Sequence, residues 1–199
     1  MLGLLLLSLS GSADPSKQRD GILIVGDSIS AAYGMSLGEG WVALLENRLQ
    51  RDHQGLEVVN ASISGETSGG GLRRMPVLLR QHVPSIVIIE LGGNDGLRGY
   101  PIGQLRDNLA RMIALAENND AKVLILPMEI PPNFGKIYTD AFRASFAQAI
   151  EGTDATLAAF PLASVALKTD LMQADGIHPT AQAQPRILES VWSSLEALL

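Results

Sequence analysis

Gly21-Ile22-Leu23-Ile24-Val25-Gly26-Asp27-Ser28 is the stretch from which the fold can be read. Four consecutive aliphatic residues without alternation describe a strand buried on both faces, which is the condition of a strand in a parallel sheet covered by helices. The strand runs straight into a small, polar turn that can expose the Ser28 hydroxyl at the sheet edge. Similar apolar runs follow at residues 56–60, 86–91 and 122–126, with a weaker one at 157–160. Between them, residues 40–51, 70–80, 102–118, 138–150 and 181–198 carry helical periodicity. Strands alternating with helices predict βαβ units.

The expected architecture is therefore α/β: a three-layer α/β/α sandwich with about five parallel strands, flavodoxin-like rather than the larger α/β-hydrolase fold. Right-handed crossovers limit the alternatives, but spacing does not give the strand order. The runs end in segments rich in Gly, Asn, Ser or Asp, and the ends of the first three carry chemistry-bearing residues. Open α/β sheets bind ligands at the carboxyl ends of their strands.

Composition narrows the function classes. The chain has 199 residues, 46% of them hydrophobic and 18% charged, which suits one domain with a sizeable core. A net charge of −6 and no basic run longer than Arg73-Arg74 argue against nucleic acid as a partner. The absence of cysteine removes disulfides, thiolate metal sites and a Cys nucleophile together.

Residues 1–9 are almost wholly apolar, and small residues follow at 10–13, so residues 1–13 are expected to be a signal-peptide-like segment. Residues 14–20 are expected to form a flexible N-terminus and 21–199 the folded domain. The apolar run has about half of the roughly 20 residues a spanning helix needs, so no stable membrane anchor is expected. Ser12 stands where a lipoprotein box would need its lipid-bearing Cys, and no Lys or Arg precedes Lys17. The expected location is periplasmic or secreted.

Three far-apart segments, Gly26-Asp27-Ser28, Gly92-Gly93-Asn94-Asp95 and Asp175-Gly176-Ile177-His178-Pro179, contain the parts of an acyl-transfer site. A serine needs a base to take its proton, the base needs an acid to fix its tautomer, and the oxyanion needs donors. Ser28, His178, Asp175 and Asn94 can fill those roles. Each segment also has a plainer reading, as a helix-capping turn or an Asn-Asp-Gly turn satisfying its own backbone. Ser30 occupies the second glycine position of a G-x-S-x-G elbow. Gly65-x4-Gly70 lacks the following Lys-Ser/Thr of a Walker loop, and Gly69-Gly70-Gly71 lacks dinucleotide spacing, so no nucleotide cofactor is expected. His53 and His82 compete for the base, but both fall in stretches that read as surface. Three histidines with no cysteine argue against zinc.

Together with Asn60-Ala61-Ser62-Ile63-Ser64-Gly65-Glu66-Thr67-Ser68, these segments form ordered blocks that resemble the SGNH or GDSL hydrolases. Within that superfamily the chain looks most like the bacterial periplasmic esterase/thioesterase I/lysophospholipase group, over roughly residues 21–199. The resemblance implies a strand order of 2-1-3-4-5. It adds the Gly65 N–H to the Ser28 N–H and the Asn94 side chain as oxyanion donors. It also places Leu97, Arg98, Tyr100, Ile130 and Pro131 at an apolar substrate groove.

The implied activity is hydrolysis of small or medium acyl esters, aryl esters, thioesters and lysophospholipids, by a monomer without metal or cofactor. A carbohydrate O-acetylesterase would use the same constellation, and a catalytically dead lipid- or carbohydrate-binding module is the rival from a different class. The intact set Ser28, Gly65, Asn94, Asp175 and His178 argues against the latter.

Overall fold

In the computed structural model, which describes residues 21–53 and 55–199, β1 (Gly21–Gly26) lies between β2 (Glu57–Asn60) and β3 (Ile86–Glu90), with β4 (Lys122–Ile125) and β5 (Thr156–Leu157) beyond β3. Every pairing is parallel, and the order β2-β1-β3-β4-β5 is the one the resemblance implied. The segments 1–13 and 14–20 lie outside the described residues.

The burial pattern explains the order. Ile22 to Val25 and the whole of β3 are buried, and these unbroken apolar runs occupy the middle of the sheet. Each such aliphatic side chain contributes about 1.5–3 kcal/mol when it leaves water. β2 is half-buried and forms one edge. At the other edge, β5 is shorter and earlier than the expected 157–160. Ala158 donates to the Ile125 carbonyl at 2.9 Å, and there pairing ends. Pro127 and Pro161 follow soon after the two strands, and neither has an N–H to continue a ladder.

Six α-helices cover the sheet among the described residues: α1 (Trp41–Asp52), α2 (Ser68–His82), α3 (Gly93–Leu97), α4 (Ile102–Glu117), α5 (Lys136–Ala149) and α6 (Gln184–Leu195). α1 packs on α6, while α2, α4 and α5 pack in a row, which completes the three layers. The expected helix at 181–198 divides into α6 and a short 3-10 turn at each end. Pro185 sits in the first turn of α6, where a missing N–H costs no helical hydrogen bond. Thr67 caps α2 by accepting the Gly70 N–H at 3.3 Å. No helix among the described residues is long and apolar enough to cross a membrane.

α3 was not expected. Gly93-Asn94-Asp95-Gly96 reads as a turn, yet the backbone forms one helical turn immediately after β3. A contact remote in sequence explains it: the Asp95 carboxylate accepts the Ser68 N–H at 2.8 Å and the Ser68 hydroxyl at 2.6 Å. Asn108 of α4 donates to the same hydroxyl at 3.0 Å. This buried network joins the starts of α2 and α3, so the segments carrying Gly65 and Asn94 share one anchor.

Candidate active site

The first three strands deliver their following segments to one end of the sheet, and Ser28 stands half-buried at the first of them. The loop carrying Asp175 and His178 reaches the same place from the far end of the chain. His178 Nε2 lies 2.9 Å from Ser28 Oγ, and His178 Nδ1 lies 2.6 Å from Asp175 Oδ2. The neutral tautomer that donates from Nδ1 leaves the Nε2 lone pair to accept the serine hydroxyl. Asp175 uses its other oxygen, Oδ1, to accept the backbone N–H groups of Ile177 and His178 at 2.9 and 3.0 Å. Its bond to His178, then the two backbone donors, hold its carboxyl at about 2.

The loop is closed on itself before it meets the serine. Met172 bridges to Pro179, and the Gln173 N–H donates to the His178 carbonyl at 2.7 Å. The Gln173 side-chain amide then donates to the Tyr33 carbonyl at 2.9 Å and the Pro179 carbonyl at 3.0 Å, pinning the loop to the turn after Ser28. The Tyr33 ring stands 4.3 Å from the His178 ring and limits how far it can swing. Neither Gln173 nor Tyr33 has a role readable from sequence, because the contact between them spans 140 residues.

On the opposite side, the Asn94 amide donates to Asp27 Oδ2 at 3.0 Å, which leaves its second hydrogen free. Gly65 has φ +79°, a conformation glycine adopts without strain, and its carbonyl accepts from Arg98 at 3.0 Å. Among the described residues, no acceptor takes the Ser28 or Gly65 N–H. Two backbone N–H groups and one amide hydrogen are therefore left without an acceptor among the described residues. The segments are tied to one another: Asn60 donates to the Ser30 carbonyl at 2.8 Å, and Arg74 pairs with Glu66 at 2.9 Å.

The model of the GDSL-like Lipase/Acylhydrolase family matches residues 24–185. The chain belongs to that family. It is 51% identical over 178 residues to Esterase TesA of Pseudomonas aeruginosa, covering 89% of each chain. It is 42% identical over 180 residues to the Thioesterase 1/protease 1/lysophospholipase L1 of Escherichia coli K12, covering 90% of this chain and 85% of that one. The crystal structure of TesA superposes with a TM-score of 0.87 at 50% identity, over 90% of this chain and 99% of that one. This GDSL-like acylhydrolase is accordingly an esterase with the SGNH hydrolase fold.

The expected groove residues of this GDSL-like chain have different environments. Leu97 is half-buried, Arg98 and Pro131 are exposed, and Tyr100 is 41% exposed. Ile130 is 7% exposed and packs under α3, where its Cγ2 would lie 2.6 Å from a Cβ on Gly96. The Tyr100 carbonyl accepts from the Tyr138 hydroxyl at 2.8 Å, which ties the α3–α4 loop to α5. His82 is exposed in the last turn of α2, as expected. His53 caps α1 and is half-buried beside the Trp192 ring, 6.0 Å away, rather than fully at the surface. Both lead into the amino ends of strands, away from Ser28. Among the described residues, no three or more His, Asp or Glu side chains cluster as metal ligands.

Proposed function

We propose that Ser28, His178 and Asp175 form the catalytic triad of this esterase, working through an acyl-enzyme. The single observation carrying this reading is the unbroken relay from Asp175 through His178 to Ser28, at 2.6 and 2.9 Å, across a separation of 150 residues. Ser28 Oγ attacks the acyl carbonyl carbon while His178 Nε2 takes its proton. Asp175, ionised far below neutral pH, orients the ring and offsets the imidazolium charge. The Ser28 and Gly65 N–H groups and the Asn94 amide hold the oxyanion. The tetrahedral intermediate collapses, and His178 returns the proton to the leaving alcohol or thiol. Water then attacks the acyl-enzyme by the same steps, releasing the acid and restoring Ser28.

The proposed substrates are short-to-medium acyl esters and thioesters, including aryl esters and lysophospholipids. The acyl chain would run past Leu97, Arg98 and Tyr100, with Pro131 and the buried Ile130 closing the far side. The half-buried and exposed apolar surfaces there support this placement. Hydrolysis of p-nitrophenyl esters of graded chain length, run beside an acetylated sugar and a palmitoyl thioester, tests the substrate class. Turnover rising from acetate to longer chains supports the reading, and turnover confined to the acetylated sugar favours the O-acetylesterase. Export through residues 1–13 belongs to the same proposal, and N-terminal sequencing of periplasmic material tests it.

A further inference from the structure

Glu90 ends β3 and takes no part in the acyl-transfer steps, yet its side chain is completely buried beside the nucleophile turn. The parallel register sets Glu90 against Gly26. A Cβ on Gly26 would lie 2.8 Å from Glu90 Oε2, so glycine there leaves room for the acid. Glu90 Oε2 accepts the Asp27 N–H at 3.2 Å and the Ser30 hydroxyl at 2.8 Å, one contact on each side of Ser28. Its other oxygen, Oε1, meets no donor among the described residues.

Asp27 is also buried, next to Glu90, whose Oε2 its own N–H meets. Two carboxyl groups buried side by side away from water cannot both be ionised at modest cost, so one of them is neutral. Burial, then the Asp27 charge, pushes Glu90 well above the ordinary carboxylate range. Burial raises Asp27 too, but bonds from Ile29, Glu90 and Asn94 favour its charged form. The proton therefore belongs to Glu90 and the charge to Asp27. Asp27 spends that charge on the Ile29 N–H at 3.0 Å and the Asn94 amide at 3.0 Å.

We propose that Glu90 is a positioning residue for the oxyanion hole: as a neutral acid it donates to the Asp27 carboxylate, which in turn holds the Asn94 amide with its second N–H facing the acyl oxygen above Ser28. This rests on the roles assigned above to Ser28 and Asn94. Glu90 touches no substrate atom and passes no proton to one. Its contribution is to let a buried carboxylate stand behind Asn94 without a second charge beside it.

The test is steady-state hydrolysis of p-nitrophenyl butyrate by the wild type, Glu90→Ala, Glu90→Gln, Asn94→Ala and the Glu90→Ala/Asn94→Ala pair, with Ser28→Ala as reference. Glu90→Ala is expected to lower kcat by about 10²-fold, with KM changed by less than about threefold, as for loss of one oxyanion donor. Glu90→Gln is expected to recover kcat to within about fivefold of wild type, because its amide donates to Asp27 while its carbonyl keeps the other two contacts. The double variant is expected to be no slower than Asn94→Ala alone.

Losses that multiply in the double variant, or a Gln variant as slow as the Ala variant, overturn the inference. If Glu90→Ala does not fold, Glu90→Met fills the space without donating, and wild-type kcat in that variant overturns it equally. An active Ser28→Ala enzyme brings down the triad itself. A dead Ser28→Ala enzyme with multiplying Glu90 and Asn94 losses brings down only the inference.

Discussion

The nucleophile half of the site stands on the buried ends of β1 and β3, whereas the base half is a loop near the chain's end, with Asp175 exposed to solvent. In the proposed site each half carries an acid assigned to orient a catalytic neighbour, and the two acids are shifted in opposite directions. Burial drives Glu90 up, while hydrogen bonds from His178 and Ile177 drive Asp175 down to about 2. The buried half is held by strand register and by the Asp27 N–H and Ser30 hydroxyl on Glu90. The exposed half is held by short bonds within one loop and by Gln173. Rigidity in this enzyme is therefore obtained by two routes, and substitutions in the two halves should fail differently.

The largest effect is expected at Ser28. Ser28→Ala should lower kcat for p-nitrophenyl butyrate by about 10⁶-fold, the scale seen when a triad nucleophile is removed, with a thermal melt close to wild type. In the base half, Asp175→Asn should cost on the order of 10⁴-fold in kcat, because an amide at that position does not enforce the tautomer the serine needs. A loss under about tenfold would mean that the loop's own bonds orient His178 without the acid.

Asn94→Ala should come next, at roughly 10²–10³-fold in kcat with a smaller effect on KM, which corresponds to about 2.7–4 kcal/mol of transition-state stabilisation. Full kcat with a much lower melt would make Asn94 a turn residue of α3. Gln173→Ala should cost less, about tenfold in kcat, because the bridge at Met172 and Pro179 still closes the loop. If its melt fell as far as that of a buried-core variant, Gln173 would belong to the core rather than to the loop's placement.

The smallest and most diagnostic effect is on stability against pH. Glu90 is raised above its ordinary value of 4.5, so its contribution is full below that value and is lost as pH rises through its folded value. Asp175 is depressed, so its contribution is present above its ordinary value of 3.8 and is lost as pH falls through about 2. The titratable group facing Glu90 is Asp27, which His178 influences from the far side. Urea midpoints from pH 4 to 9 should therefore decline less steeply toward alkaline pH for Glu90→Gln than for wild type. Identical slopes would show that Glu90 is not raised.

Much of this was legible in the sequence. Apolar runs located four strands within a residue or so, and for β1 and β3 burial on both faces leaves an unbroken pattern. The residues of the proposed triad could be picked out because Asp175 and His178 share one short loop and Ser28 follows the first strand. β5 was misplaced because a two-residue edge strand has almost no periodic signal. α3 was missed because two glycines and an Asn-Asp pair look like a turn until Ser68 holds Asp95. Glu90 lies in the run 86–91 but has no role readable from sequence, because its neighbours depend on which strand lies beside β3. Strand order came from resemblance rather than spacing, and the Gly26–Glu90 register exists only once that order is known.

The most direct test of the account is covalent labelling of the intact enzyme with a fluorophosphonate, followed by peptide mapping in a mass spectrometer. The account predicts one adduct per chain, on Ser28, with loss of esterase activity in proportion to labelling and no adduct on Ser28→Ala. A stoichiometric adduct on any other residue, or complete inactivation with Ser28 unmodified, would contradict it.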